Sequence, residues 1–273
     1  MLLILTDLDG TLLNQDDYRY DPVIPVLARL QQHGVPVVPV TSKTRREVAS
    51  LRDALKLRDP FITENGSGVF VDPHDDRFNL DDAETWEGYR LLRLGCTYAA
   101  ARRGLQAVAE KLGEPLRGFG DLSVVEVQQR TGLPEADAVL AKLRDFTEPF
   151  ITPTHIPTAQ IEAAVQAAGF RVTVGDRFSH LIGSRAGKGQ AALRLLHAYQ
   201  KSFPNETITT VGLGNSPNDL DLLEVVAQPI VVPGKRGPHP QLAERGWPIA
   251  PAPGSQGWAE AVQALSDRLL SAG

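Results

Sequence analysis

Asp7 and Asp9 stand two residues apart in Asp7-Leu8-Asp9-Gly10-Thr11, directly after an apolar run over residues 2–5. Continuous apolar runs of this kind read as buried parallel strands. In a parallel α/β sheet, ligands bind beyond the carboxyl ends of the strands. Gly10 lets the backbone turn tightly there. Two carboxylates so placed can divide a group transfer between them. One can attack phosphorus; the other can protonate the leaving oxygen and later activate water. The bland alternative is a solvated Asp-Gly turn, and the strand before it and the threonine after it speak against that.

Three later segments carry matching chemistry. Val37-Val38-Pro39-Val40 ends at Thr41, whose hydroxyl can bond a phosphate oxygen, and the polar loop Ser42-Lys43-Thr44 follows. Lys43 can pair with a phosphate or carboxylate, or else is a solvated lysine at a helix start. Lys188, in Ala186-Gly187-Lys188-Gly189, stands at a glycine-flanked helix start. From there an ammonium can neutralise both a nucleophile and the transferring phosphoryl group. Gly212-Leu213-Gly214-Asn215-Ser216-Pro217-Asn218-Asp219 follows another apolar strand. Its oxygen donors suit hard Mg²⁺, which binds one or two carboxylates and keeps several waters.

The elements that must position these groups alternate regularly at both ends of the chain. Strands are expected at residues 2–5, 35–40 and 61–63, with helices at 21–32 and 46–57 and a turn at 64–68. In the first helix, Asp21 is the expected N-cap and Pro22 the first helical residue. The alternation resumes with a helix at 187–201, whose Ala192, Leu193 and Leu196 share one face. A strand at 207–211, a helix at 218–226, a strand at 229–232 and a helix at 258–270 follow. Between residues 72 and 182 it is lost. Helices are expected there at 105–112, 135–143 and 158–168, and strands at 123–127 and 170–174. The fold class is therefore α/β: a Rossmann-like parallel-sheet core, residues 1–82 and 183–273, carrying an inserted α+β cap, residues 83–182.

Composition narrows the function classes. The chain has 273 residues, 42% hydrophobic and 22% charged, with a net charge of −5, as in ordinary globular proteins. No basic stripe marks a nucleic-acid binder. An anionic substrate would need local lysines, arginines or a metal. The single cysteine, Cys96, forms no internal disulfide and stands in no motif, so it reads as a buried thiol in a reducing compartment. No signal-peptide pattern precedes Asp7 and no apolar stretch has the length of a membrane span. A cytoplasmic protein without nucleic-acid or membrane partners is expected.

The Asp-x-Asp-Gly-Thr segment, Thr41, Lys188 and the Gly214–Asp219 loop, in this order, resemble the four motifs of haloacid-dehalogenase-type phosphatases of the large-cap subclass. Further segments resemble the mannosyl-3-phosphoglycerate phosphatase family. They are Val40-Thr41-Ser42-Lys43-Thr44-Arg45, Glu64-Asn65-Gly66-Ser67-Gly68, Gly118-Phe119-Gly120-Asp121-Leu122 with Thr131-Gly132-Leu133, Arg144-Asp145-Phe146-Thr147-Glu148-Pro149-Phe150, and Gly175-Asp176-Arg177-Phe178-Ser179-His180. The resemblance implies a hexosyl-3-phosphoglycerate, mannosyl or glucosyl, cleaved to hexosylglycerate and phosphate in compatible-solute synthesis. It makes Asp7 the nucleophile that becomes an aspartyl-phosphate, Asp9 the acid/base, and Thr41 and Lys188 the phosphate and charge partners. Mg²⁺ would lie on Asp7, Asp9, Asn215 and Asp219, with Asp9 using its backbone carbonyl. Ser42, Lys43, Glu64, Asn65, Asp121, Arg144, Glu148 and Arg177 are the candidate substrate ligands. His180 reads equally as a ligand or a core histidine. The superfamily normally has aspartate where Asn215 stands, and asparagine brings no charge. Two alternatives stay open: a phosphatase of another sugar phosphate, such as sucrose phosphate, and a phosphosugar-binding protein without turnover, motivated by Asn215. The expected partner is a small phosphorylated glycoside, bound by a monomer or homodimer.

Overall fold

The computed structural model of the protein describes residues 1–174 and 178–270. The chain opens with β1 (Leu2–Thr6), α1 (Val23–Gln32), β2 (Val37–Pro39), α2 (Arg45–Leu55), β3 (Phe61–Thr63), β4 (Gly68–Val71), β5 (Glu84–Trp86) and β6 (Tyr89–Arg93). The insert follows as α3 (Tyr98–Leu112), α4 (Val124–Thr131), α5 (Glu135–Lys142), β7 (Glu148–Ile151), α6 (Thr158–Ala167), β8 (Phe170–Thr173) and β9 (Phe178–Gly183). The chain then continues as α7 (Lys188–Ser202), β10 (Thr209–Gly214), α8 (Leu220–Val225), β11 (Gln228–Val231), α9 (Pro240–Ala243) and α10 (Gly254–Leu270).

β11, β10, β1 and β2 form a parallel sheet in that order. A parallel bridge from Val40 to Ile62 ties it to the antiparallel set β3-β4-β6-β5. β1 lies at the centre, and its side chains alternate between two cores. Leu2 and Ile4 pack on one face with Trp258 and the α1 residues Val23, Leu27 and Leu30. Leu3 and Leu5 pack on the other with Ala191, Leu195 and Tyr199 of α7. Burial on both faces is why the strand reads as an unbroken apolar run, each such side chain contributing about 1.5–3 kcal/mol. Thr6 pairs with Leu213 on one side and Pro39 on the other. The three strands thus end together, and Asp7, Thr41 and Asn215 leave from one edge of the sheet.

The insert forms its own antiparallel sheet, β7-β9-β8, backed by α3 and α6. A small second cluster joins α4 and α5 through Val127, Ala138 and Ala141. No helix among the described residues is long and apolar enough to cross a membrane.

Several expectations need correction. Residues 123–127 are not a strand. Ser123 caps α4, accepting from the amide of Glu126 while the Glu126 carboxylate accepts from Ser123. This reciprocal cap is a helix-start signature, and it outweighs the β-propensity of the two valines behind it. α1 starts at Val23, with Pro22 at the cap position and no side-chain cap from Asp21. Leu193 on α7 is 42% exposed, the buried face being Ala191, Ala192, Leu195, Ala198 and Tyr199. β4, β6, β7 and β9 are strands the periodicity did not mark.

Candidate active site

Four loops meet beyond the shared strand ends. Asp7 is buried, its backbone amide donating to Leu213 O across the β1–β10 seam at 2.9 Å. Gly10 holds φ +77°, and a Cβ there would fall 2.2 Å from Asn215 Nδ2 and 2.4 Å from Gln15 Oε1. The turn therefore needs glycine twice over, for its left-handed backbone and for the room that Asn215 occupies. On the opposite side Gly66, φ +81°, would place a Cβ 2.0 Å from Gly187 O, so the 64–67 turn lies directly on the start of α7.

Lys188 is the centre of charge. Its ammonium donates to Asp7 Oδ1 at 2.7 Å and to Asp219 Oδ1 at 2.6 Å, with the side chain 1% exposed. Burial alone would pull this lysine down, but the carboxylates of Asp219 and Asp7 outweigh it and push it up, so it stays protonated. Asp219 Oδ2 accepts from the amides of Asn215 and Ser216, at 2.9 and 3.0 Å, and from Ser216 Oγ. Both of its oxygens are thereby taken up in holding Lys188 and the loop.

Asp7 is pushed up to about 7, first by burial and then by the charge of Asp219, against the pull of Lys188. One ammonium is thus too little positive charge for the carboxylates around it. A hard divalent cation fits such a site. The oxygens that could hold it are Asp7 Oδ2, the backbone carbonyl of Asp9 and the side-chain carbonyl of Asn215. Asp7 Oδ2 takes only a long 3.3 Å bond from Thr11 Oγ1. Among the described residues, no three His, Cys, Asp or Glu side chains form a metal-ready cluster, and two of these three donors are carbonyls.

Asp9 is part-exposed and its carboxylate faces Lys43 Nζ at 3.0 Å, Glu47 standing 3.8 Å from the same ammonium. Burial works against the charge on Lys43, but Asp9 and Glu47 raise it. Thr41 is buried at the end of β2, its Oγ1 accepting from the amide of Lys43 at 3.2 Å. Asn65 accepts at Oδ1 from Asn218 Nδ2 at 2.9 Å, while its own Nδ2 is buried without a partner. Asp7, Asp9, Thr41, Lys43, Asn65, Lys188, Asn215 and Asp219 therefore come together around one space.

The cap candidates divide into two groups. Arg144 and Glu64 pair with each other, next to the backbone of Ser42. Asp121 and Glu148 form a separate knot around Arg102, with bonds of 2.6–2.9 Å, and their partners all belong to the cap. Arg177 lies outside the described residues.

Three residues near the site were not singled out or not decided from sequence. Arg171 of β8 donates to Ala186 O at 2.6 Å. With Thr173 it lines a cleft of about 590 Å³ whose core wall includes Asn65, Lys188 and Asn218. An arginine on a half-exposed strand of the cap was the available signal. Asn218 was read only as part of its loop. His180, on β9, lies within electrostatic reach of Arg144 and Lys188. Its Nδ1 is without a partner, and burial, Arg144 and Lys188 lower it to about 3. It is thus a neutral ring at physiological pH.

The model of haloacid dehalogenase-like hydrolases matches residues 4–83. A glucosyl-3-phosphoglycerate/mannosyl-3-phosphoglycerate phosphatase of Persephonella marina is 38% identical over 261 residues, covering 96% of each chain. One of Methanococcoides burtonii is 35% identical over 265 residues, again 96% of each. Among solved structures, a haloacid dehalogenase-like hydrolase from B. subtilis aligns with a TM-score of 0.65 at 20% identity, over 97% of this chain and 100% of that one. The sucrose-phosphatase of Synechocystis aligns at 0.63 and 17%, over 97% and 98%. At such identities these two likenesses concern the fold. The near relatives match the chain through the cap as well as the core, and the chain is a phosphoric monoester hydrolase belonging to the glucosyl-3-phosphoglycerate/mannosyl-3-phosphoglycerate phosphatase family of haloacid dehalogenase-like hydrolases.

Proposed function

We propose that the enzyme hydrolyses glucosyl- or mannosyl-3-phosphoglycerate to the hexosylglycerate and phosphate. Two relatives at 38% and 35% identity over 96% of the chain, each named for both substrates, carry that reading. Asp7 attacks phosphorus through a carboxylate oxygen and forms an aspartyl-phosphate. Lys188, already between Asp7 and Asp219, holds the charge that builds on the phosphoryl oxygens. Asp9 protonates the sugar-glycerate oxygen as it leaves, then takes a proton from the water that cleaves the aspartyl-phosphate. Thr41 and Lys43 bind phosphate oxygens. Mg²⁺, held by Asp7, the Asp9 carbonyl and Asn215, would supply further positive charge to the phosphate. Asp219, occupied at both oxygens, organises the loop and Lys188.

Cap residues Arg171 and Thr173 and core residues Asn65, Lys188 and Asn218 line one cleft, so the cap forms part of the substrate space. We place its division from the core at the ends of β6 and β9, because β5 and β6 extend the sheet of β4. The enzyme is read as cytoplasmic, supported by its one unpaired cysteine, and as a monomer or homodimer.

The direct test is phosphate release with Mg²⁺ from glucosyl- and mannosyl-3-phosphoglycerate, beside sucrose phosphate and p-nitrophenyl phosphate. A higher kcat/KM for sucrose phosphate than for either phosphoglycerate ester would overturn the substrate assignment. Silence on every ester at all Mg²⁺ concentrations would favour a binding protein.

Two variants probe the mechanism. Asp9→Asn is expected to lower kcat on the phosphoglycoside by ~10²–10⁴, the range of a lost general acid/base. The loss should be smaller on p-nitrophenyl phosphate, whose leaving group needs little protonation. An equal loss on both esters would count against Asp9 as the acid. Asn215→Asp adds a negative charge to the donor set, and oxygen sites bind hard cations more tightly as ligand charge rises. The Mg²⁺ concentration for half-maximal rate should therefore fall. An unchanged or higher requirement would mean that the Asn215 amide, lodged against Gly10 and Gln15, matters more than its carbonyl.

A further inference from the structure

Glu64 is completely buried in the left-handed region, φ 48°, at the end of β3. Its carboxylate is used entirely by the cap. Oε1 accepts from the amide of Asp145 at 2.7 Å, and Oε2 from the amides of Phe146 and Thr147 at 3.2 and 2.8 Å and from Thr147 Oγ1 at 2.7 Å. Arg144 Nε stands 3.3 Å from the same carboxylate. With the side chain fully enclosed, no sugar hydroxyl can reach it.

Both chain crossings between core and cap pass this point. The amides of Leu94 and Gly95 donate to Ser67 O, and Tyr98 N donates to Asp145 O at 2.9 Å. Cys96 Sγ reaches Phe146 O. On the return crossing, a Cβ on Gly183 would lie 2.7 Å from Cys96 N. The two crossings and the anchor on Glu64 thus coincide at segment 145–147, the fulcrum on which the cap rests.

Arg144 extends this fulcrum into the catalytic loop. Its side chain is 3% exposed, and Nη2 donates to Ser42 O at 3.0 Å and to Thr147 Oγ1 at 2.7 Å. The same loop is held from its other flank by backbone bonds: Glu64 N to Lys43 O at 3.0 Å and Asn65 N to Thr41 O at 2.9 Å. Ser42, between Thr41 and Lys43, thus has its carbonyl set by a cap residue and its neighbours set by the anchor. The guanidinium reaches both partners with one nitrogen, while a second nitrogen faces Glu64.

We propose that Arg144 is a positioning residue that holds the Thr41–Lys43 loop in its phosphate-binding shape from the fulcrum of the cap, and that Glu64 is the buried anchor of that fulcrum and not a substrate ligand. A loop so held serves every phosphate ester alike, since it contacts the phosphate and not the alcohol. A displacement of about 1 Å can cost on the order of 10²-fold in rate. The proposal rests on the phosphatase reading, but not on which ester is natural.

The test compares wild type, Arg144→Ala and Thr147→Val on p-nitrophenyl phosphate and glucosyl-3-phosphoglycerate, below the melting temperature of each. Arg144→Ala should lower kcat on both by the same factor, ~10–10²-fold, with KM for the phosphoglycoside little changed. Added guanidinium chloride at millimolar concentration should restore part of that kcat without raising Tm. Thr147→Val, which removes only the hydroxyl between Arg144 and Glu64, should show a smaller equal loss, and it stands in if Arg144→Ala does not fold. A normal rate on p-nitrophenyl phosphate with a raised KM for the phosphoglycoside would make Arg144 a substrate ligand and overturn the proposal. A loss that follows Tm and does not respond to guanidinium would reduce it to a structural tie, which also overturns it. If wild type cleaves p-nitrophenyl phosphate but not the phosphoglycoside, the substrate assignment fails while the p-nitrophenyl phosphate measurements still decide the role of Arg144.

Discussion

Asp7→Asn abolishes phosphate release and leaves the protein folded: that is the expected result. An amide oxygen is too weak a nucleophile to form an acyl-phosphate, so the loss should be on the order of 10⁴-fold or more. The side chain keeps its shape, and its carbonyl can still accept from Lys188, which donates to Asp7 Oδ1 at 2.7 Å. Stability carries a sign that can be checked. Burial and Asp219 raise Asp7 to about 7 in the folded state, above the unfolded carboxyl value of about 4. Ionising Asp7 therefore costs stability as pH rises from about 4 to about 7, and asparagine removes that cost. Without added metal, the variant should gain on wild type across that window and hold the gain above it. Thermal unfolding at several pH values measures this, and phosphate release measures the activity. Near-normal turnover by Asp7→Asn would remove the nucleophile assignment and the mechanism with it.

Lys188→Met should lose activity and stability together. Removing the ammonium leaves Asp7 and Asp219 as neighbouring buried carboxylates with no cation between them. Breaking a buried pair from one side costs about 3–5 kcal/mol, because the remaining charge stays desolvated. Without the lysine Asp7 should rise further above the value of about 7 that it has in the wild type. Wild-type Asp7 ionises in the folded state above about pH 7 and the variant's does not, so beyond the constant loss the stability gap to wild type should widen as pH rises past about 7. Lys188→Arg keeps the charge with a different shape and should recover stability better than turnover. If Lys188→Met matched wild-type Tm at neutral pH, the network would not be a buried ionic one.

Much of the catalytic centre was legible because its residues lie in short segments tied to strand ends. Asp7 follows β1, Thr41 follows β2 and Asn215 follows β10, and a parallel register brings those ends to one edge. Lys188 was legible through the glycines around it, Gly187 and Gly189, which are needed where Asp221 approaches the backbone. The partners of these groups could not be read in the same way. That Lys43 would face Asp9, or that both oxygens of Asp219 would be taken up by Lys188 and the 215–216 loop, depends on side-chain directions between segments far apart in the chain.

The cap shows the difference most clearly. Its strand β7 is short and buried over Glu148, Pro149 and Phe150, so no period-2 pattern marks it, and at α4 two valines suggest a strand where the capping box decides for a helix. Glu64 and Arg144 have the residue types of ligands for a hydroxylated, anionic substrate, which is all that types and spacing can express. Their neighbours are backbone amides of residues 145–147 and the carbonyl of Ser42. Backbone groups are the same at every position, so a bond to one leaves no mark in the sequence. It exists only because the folded chain returns residue 144 to residue 42, and a buried carboxylate must then find its donors there.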